Sequence, residues 1–290
     1  MLKNCRLIII LLVCFFILIS EANASVKGIY LTQYTFENTA FLNYLIKYAT
    51  ASGIDTFVID FEKPSKRYRV NLTRLVDNNI RYVARIVMFP DGGTRYAVKT
   101  PEFWQKKYTL VKQAVDWGAK EIQLDYIRYN TKQKPSSENS KDIYTIIQWY
   151  KNKLSERGIP LQVDVFGIAS FGESKYIGQN IKLFSQGVDA ICPMVYPSHY
   201  EPFAQHYKTP YQTVYHSLIN IKNQFNGKMP IKMYAYIELS NYHYRMSQSQ
   251  KIEYIKAQMR AVEAANADGW YAWSPHNRYE NLFHVLQSMR

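Results

Sequence analysis

Short continuous runs of apolar, β-branched and aromatic residues alternate along the chain with longer stretches whose apolar residues recur at helical spacing. In the first such stretch, Phe41, Leu42, Leu45, Ile46 and Ala49 share one helical face. This alternation predicts βα units around a parallel sheet. Unbroken apolar runs are typical of strands covered on both faces. Eight runs are predicted as strands: 28–34, 56–62, 82–89, 121–129, 161–168, 190–196, 231–238 and 270–274.

The order of these elements predicts one domain. Eight βα units follow one another without a sequence repeat, a low-complexity tract or a linker. The length of the segment 25–290 is close to the ~250 residues that are typical of a (β/α)8 barrel. We therefore expect an α/β fold with a single (β/α)8 TIM barrel over residues 25–290.

Residues 1–24 predict a signal peptide rather than part of the fold. Lys3 and Arg6 precede an unbroken apolar run over 7–19, and Ala22-Asn23-Ala24 has the small-residue pattern of a cleavage site. The apolar run is shorter than the ~20 residues that a membrane-spanning helix needs. We therefore expect cleavage after Ala24, no stable membrane span afterwards, and a secreted or periplasmic protein.

Charge and cysteine content narrow the choice of partners. The chain carries a net charge of +13, with basic residues scattered along it rather than clustered in a nucleic-acid-binding motif. Such a surface is attracted to anionic glycans, so we expect a polysaccharide partner, possibly anionic, and no nucleic acid. After signal cleavage Cys192 is the one remaining cysteine, which excludes an internal disulfide and a cysteine-ligated metal. We expect a monomer without a cofactor.

Acidic residues fall at the carboxyl ends of the predicted strands, where barrels of this kind place their active sites. A charge in an apolar strand is unfavourable unless it is paired or used. Glycoside hydrolysis uses two carboxyl groups, one of them protonated. Asp125 and Asp164, on neighbouring strands, are therefore predicted as the catalytic pair. Asp60, Glu62 and Glu238 are candidates for a second acid or for tuning the pKa of the pair.

Other polar and aromatic residues near the same ends are candidates for binding sugar. Arg85, Arg128, Tyr196 and Trp273 are predicted to position it, and His199 to contact substrate or support the loop. Alternation along the strands places Asp60 with Glu62, and Gln123 with Asp125, on shared faces. A structural interpretation stays open, because Arg85 lies within a strand and needs a partner such as Asp125 or Asp60.

Several other enzyme classes lack their sequence signatures. There is no Gly-x-Ser-x-Gly elbow of an acyl hydrolase, no Walker loop and no dinucleotide fingerprint. There is no histidine-rich metal set, and no paired histidines that would indicate a phosphodiesterase.

Six blocks at the strands carry a resemblance to a known family. They are 27–32, 58–60, 84–87, 121–128, 164–167 and 193–200, with Gly269, Trp270, Trp273 and Asn277 matching at the last strand. On these blocks the chain resembles a bacterial barrel family described as "putative glycosyl hydrolase". The Met-x-Tyr of 194–196 and Trp273 are also similar to chitinase-type barrels, although the full acidic motif of those enzymes is absent.

This resemblance implies an exported, glycosidase-like barrel. The first functional hypothesis is a hydrolase that cleaves O-glycosyl bonds of a polysaccharide. The alternative is a non-catalytic glycan-binding barrel of the cell envelope, because a fold by itself does not imply activity.

Overall fold

The computed structural model describes residues 25–289, and the predicted signal peptide lies outside the described residues. Eight parallel strands form one closed barrel in chain order, which confirms the predicted (β/α)8 fold. The strands are β1 Val26–Leu31, β2 Thr56–Asp60, β3 Arg81–Val87, β4 Glu121–Asp125, β5 Leu161–Phe166, β6 Ala190–Met194, β7 Lys232–Glu238 and β8 Gly269–Trp273.

Helices surround the barrel, and several begin at the polar residues that favour helix starts. Ser65 accepts hydrogen bonds from the backbone N–H groups of Arg67 and Tyr68 at the start of the helix Lys66–Asp77. Ser247 forms a capping box with Gln250 at the start of the helix Gln248–Ala264. Among residues 25–289, no helix is long and apolar enough to cross a bilayer. The helices are α1 Gln33–Glu37, α2 Thr39–Ala51, α3 Lys66–Asp77, α4 Arg95–Lys99, α5 Pro101–Gln105, α6 Tyr108–Asp116, α7 Ser137–Ser155, α8 Ile181–Phe184, α9 Phe203–Lys208, α10 Pro210–Asn223, α11 Gln248–Ala264 and α12 Glu280–Ser288.

Pairing of the first and last strands closes the barrel. Val26 pairs with Gly269 at the start of this ladder. Beyond the strand ends, the amide nitrogen of Asn277 donates to the backbone oxygen of Tyr30 at 3.1 Å, and its side-chain oxygen accepts from the backbone N–H of Thr32 at 3.0 Å. One asparagine side chain therefore joins the loop after β8 to the end of β1.

Two apolar layers lie on opposite sides of the sheet. The larger packs between strands and helices, whereas a smaller cluster of tyrosine, valine and cysteine side chains fills the barrel interior. A side chain at Gly28 would place its Cβ 2.5 Å from the Tyr271 ring, so only glycine leaves room for that tyrosine. The interior of the barrel is therefore filled with side chains below the carboxyl ends of the strands.

Polar side chains inside the barrel bond to one another. The side-chain amide of Gln123 donates to the oxygen of Gln162 at 3.0 Å and accepts from the Tyr236 hydroxyl at 2.8 Å. As predicted, Gln123 and Asp125 share the inward face of β4. Because these buried groups have partners, they add a rigid polar layer directly beneath the strand ends.

Several strands end earlier than their apolar runs suggested. β4 stops at Asp125 rather than at residue 129, because Tyr126 adopts a left-handed backbone with φ of 50°. β2 stops at Asp60, and Glu62 lies beyond it with an exposed side chain. The prediction that Asp60 and Glu62 share one face of a strand is therefore wrong.

Candidate active site

The Arg85 side chain on β3 contacts three carboxyl groups near the carboxyl ends of the barrel strands. Its guanidinium forms ion pairs with Asp60 on β2 and Asp125 on β4, and its Nε lies 3.0 Å from Asp125 Oδ2. The same Nε lies 3.8 Å from Asp164 Oδ2 on β5. The Tyr30 hydroxyl donates to the second oxygen of Asp60 at 2.6 Å. Both partners suggested for Arg85 by the sequence therefore bind it.

The surroundings of Asp164 favour the protonated form of its carboxyl group. Burial raises the pKa of this group well above the usual range, and the neighbouring charge of Asp125 raises it further. The Asp164 side chain lies within hydrogen-bonding distance of Asp125. Its Oδ1 is buried and has no hydrogen-bond partner among residues 25–289. Asp125 instead accepts from Arg85 and, at 2.5 Å, from the backbone N–H of Tyr126.

A pocket of about 140 Å³ opens above this pair. Asp125 and Asp164 both line it, so the two predicted catalytic acids share one cleft. Its walls are mainly aromatic, and the Tyr196 and Trp273 rings stack with centroids 5.2 Å apart. Aromatic faces of this kind pack against the C–H faces of sugars. The lining residues are Tyr30, Arg85, Asp125, Tyr126, Asp164, Phe166, Met194, Tyr196, His199, Tyr236, Tyr242 and Trp273.

The left-handed backbone at Tyr126 shapes one wall of the pocket. A bulky residue with positive φ is uncommon, and such positions concentrate at functional sites. Here the turn aims the backbone N–H of Tyr126 at Asp125 and places its ring edge-on to Phe166, with centroids 6.3 Å apart. The same conformation therefore holds an acid and a pocket wall.

Glu238 lies outside the pocket lining. Its carboxylate is fully buried and accepts from the backbone N–H and hydroxyl of Ser198, at 2.8 and 2.5 Å, and from the Tyr254 hydroxyl at 2.5 Å. Burial raises its pKa to about 7, against the effect of these hydrogen bonds. The group anchors the 3-10 turn Pro197–His199 and thereby supports His199.

The remaining predicted residues divide between the pocket and its surroundings. His199 lines the pocket, where its ring stacks on Tyr242 at 5.7 Å, and burial lowers its pKa. Arg128 stands behind the pocket wall, with its guanidinium carbon 4.8 Å from the centroid of the Phe166 ring. Glu62 is exposed and is not among the lining residues.

Sequence patterns missed several lining residues. Tyr30 and Tyr236 lie on strands with their side chains inward, so the same alternation that identified Asp125 was a usable signal for them. Tyr242 lies in the irregular loop after β7, where no periodicity indicates which side chain faces the site.

The described part of the chain contains no group of three or more histidine, cysteine, aspartate or glutamate side chains that would hold a metal ion. Cys192 is buried in the interior, where its thiol donates to Gln162 at 3.3 Å. The chemistry available at the pocket is that of two neighbouring carboxyl groups, Asp125 and Asp164, beside a buried guanidinium.

A family model described as "Putative glycosyl hydrolase domain" matches residues 92–279, about two thirds of the chain. The matched segment includes β4 to β8 and therefore both acids that line the pocket. No curated protein sequence is significantly similar to this chain.

Solved structures similar to this chain are barrels of the same architecture. The spore cortex-lytic enzyme SleL of Bacillus megaterium matches with a TM-score of 0.64 and 10% identity, over 91% of this chain and 73% of that one. An endo-β-1,4-mannanase of Thermotoga petrophila gives 0.65 and 10%, over 92% and 76%. A chitinase of Chromobacterium violaceum gives 0.60 and 13%, over 91% and 98%. At these identities the likeness concerns the fold.

Proposed function

Because this chain belongs to the family described as "Putative glycosyl hydrolase domain", we propose that it hydrolyses O-glycosyl bonds of a polysaccharide through Asp125 and Asp164. One observation carries this proposal. Two neighbouring carboxyl groups, one of them with a pKa raised by burial, line an aromatic pocket at the carboxyl ends of barrel strands. Pairs of acids whose surroundings separate their protonation states are the acid–base groups of glycosidases.

The two acids act from one side of the sugar. Asp125 and Asp164 contact each other, which is closer than the ~5 Å separation of retaining glycosidases or the ~6.5–9.5 Å of inverting ones. A sugar ring therefore does not fit between them. Asp164 gives its proton to the departing glycosidic oxygen as the bond to the anomeric carbon breaks, and the Asp125 carboxylate stabilises positive charge developing on the sugar. A water molecule then adds to the anomeric carbon, and its proton returns to Asp164. Arg85 holds Asp125 in place through an ion pair.

This assignment predicts an alkaline limit to activity. Since the acid must be protonated, turnover falls as pH rises through the elevated pKa of Asp164. The measurement is a profile of kcat/KM against pH. A profile that already falls within the ordinary pKa range of aspartate, or that shows no alkaline fall before the protein unfolds, would exclude Asp164 as the proton donor.

The deciding experiment is a screen of cell-wall and extracellular polysaccharides with wild type, Asp125→Asn and Asp164→Asn. Each substitution keeps the side-chain shape and removes the acid, so turnover should fall about 100-fold or more. Asp116→Asn is a matched control, because Asp116 pairs with Arg157 on the exposed surface. Turnover that survives in both site variants would refute the pair.

A non-catalytic glycan-binding barrel is the second candidate. The observation in its favour is that Arg85 is buried and engages all three acids, so the cluster would also be explained by charge pairing alone. This alternative predicts that the wild-type protein binds an oligosaccharide in the pocket but releases no product from any polysaccharide tested.

The proposed function also implies a cellular location, an oligomeric state and a kind of partner. We infer a secreted or periplasmic protein that is cleaved after Ala24 and acts as a monomer on a polysaccharide, without nucleic acid. Fractionation of expressing cells and amino-terminal sequencing of the mature chain test the location. A protein that remains in the cytoplasm and starts at Met1 would refute it.

A further inference from the structure

Arg128 lies beside the pocket and forms no ion pair with any acidic side chain of residues 25–289. Its guanidinium carbon lies 4.8 Å from the centroid of the Phe166 ring and 5.4 Å from that of Tyr126, two rings that line the pocket. Nη1 donates to the backbone oxygen of Tyr129 at 2.9 Å. Nε is buried and has no hydrogen-bond partner in the described part of the chain. Stacking on the two rings therefore orients the group and leaves donor capacity unused.

This arrangement is unfavourable in the free protein. Burial lowers the pKa of Arg128, since the charged group loses water. Asp125 and Asp91 are near enough to oppose that effect, but neither forms an ion pair with it, and Asp125 is already held by Arg85. A desolvated cation in a protein is normally paired with an anionic group. An anion from outside would supply that pairing.

The backbone around Arg128 is built to hold its side chain in place. Gly92 has φ of 82°, and a Cβ there would lie 2.5 Å from Nη1. Gly93 donates its backbone N–H to the backbone oxygen of Arg128 at 2.8 Å, and Asn130 donates to that of Gly93 at 3.0 Å. The loop therefore packs directly against the guanidinium, and a larger residue at position 92 would displace it.

We propose that Arg128 binds a carboxylate carried by the glycan, on a sugar unit adjacent to the one in the pocket. Among residues 25–289 the guanidinium donates only through Nη1, to Tyr129, and a planar guanidinium is the side chain that best matches the geometry of a carboxylate. The carboxylate belongs to a neighbouring unit because Arg128 itself does not line the pocket, whose lining already includes the two acids Asp125 and Asp164. A net charge of +13 favours the approach of an acidic polymer. This inference rests on the proposed function for the sugar and adds the class, an acidic polysaccharide.

The test is a binding comparison that needs no turnover. A short oligouronate and the same oligosaccharide after reduction of its carboxyl groups are titrated into the wild-type protein and into Arg128→Met by calorimetry. A charge-assisted hydrogen bond predicts about 10-fold or tighter binding of the acidic form by the wild type, and loss of that preference in Arg128→Met. Affinity for the neutral form should change little. Arg157→Met is the matched control, because Arg157 forms a surface pair with Asp116.

Two results would overturn the inference. One is equal affinity of the wild-type protein for both oligosaccharides, and the other is a preference that persists in Arg128→Met. Should that variant fail to fold, Arg128→Lys decides, since it keeps the charge but loses the planar donor pair and should retain only part of the preference. A protein that prefers the acidic form but hydrolyses nothing would refute the proposed function and leave this inference standing.

Discussion

Replacing Arg85 by methionine should destabilise the barrel by about 3–5 kcal/mol near neutral pH, the range found when one partner of a buried ion pair is removed. The burial of the four side chains supports a loss of this size rather than the smaller loss expected of an exposed ion pair. The Arg85 side chain is 11% exposed, and the side chains of Asp60, Asp125 and Asp164 are 9%, 5% and 1% exposed, so solvent screens these charges little. For a domain of this size the loss corresponds to a fall in Tm of about 10 °C.

The pH dependence identifies the cause of that loss. Without Arg85, no positive charge in the cluster opposes the burial that raises the folded-state pKa of Asp164, and Asp60 and Asp125 lose their ion-pair partner. Buried carboxyl groups without a counter-ion are more unfavourable when ionised, so stability of the variant is retained at low pH and is lost as pH rises. The difference between wild type and variant should therefore be small near pH ~4 and largest near pH ~8. Urea unfolding at several pH values measures it directly.

A matched control separates charge from side-chain packing. Arg157→Met removes an arginine whose pair with Asp116 is 37% and 59% exposed, and it should change stability by less than about 0.5 kcal/mol. The reasoning is refuted if Arg85→Met loses less than about 1 kcal/mol near pH ~8, or if its loss is the same at every pH.

Three further predictions test other parts of the molecule. Glu238→Gln should gain stability relative to wild type as pH rises from about 4.5 to 7 and beyond, because the folded-state pKa of Glu238 is raised to about 7 and its ionisation inside the protein is unfavourable; a constant difference across that range in urea unfolding would contradict this. Asn277→Ala should cost about 2–3 kcal/mol by leaving the Thr32 N–H without its acceptor, by removing one of the two side-chain donors to the Tyr30 oxygen and by placing alanine at φ of 51°, whereas Asn152→Ala at an exposed position of α7 should cost less than about 0.5 kcal/mol in the same assay. Tyr242→Ala should weaken oligosaccharide binding about 10-fold with little change in Tm, since its ring lines the pocket yet is 55% exposed; unchanged affinity in calorimetry would remove Tyr242 from the site.

Local pattern determined much of this protein. The apolar runs identified all eight strands, and alternation within β4 placed Gln123 and Asp125 on the inward face. Because the carboxyl ends of all parallel strands lie at one rim, the acids at the ends of β4 and β5 were predictably close together. The need of Arg85 for a carboxylate also followed from its position within an apolar strand.

The tertiary structure decided the exposure and the bonding partners of each acid. Alternation assigns a face only while the strand lasts, and the strand ends at a residue set by pairing and by the backbone of the next one, as at Asp60 and Tyr126. The sequence offered Glu62 and Glu238 as candidates for a second acid or for tuning the pKa of the pair, yet Glu62 is exposed and Glu238 is bonded to Ser198 and Tyr254. The raised pKa of Asp164 depends on burial and on the charge of Asp125 on another strand, and no local sequence pattern contains either quantity.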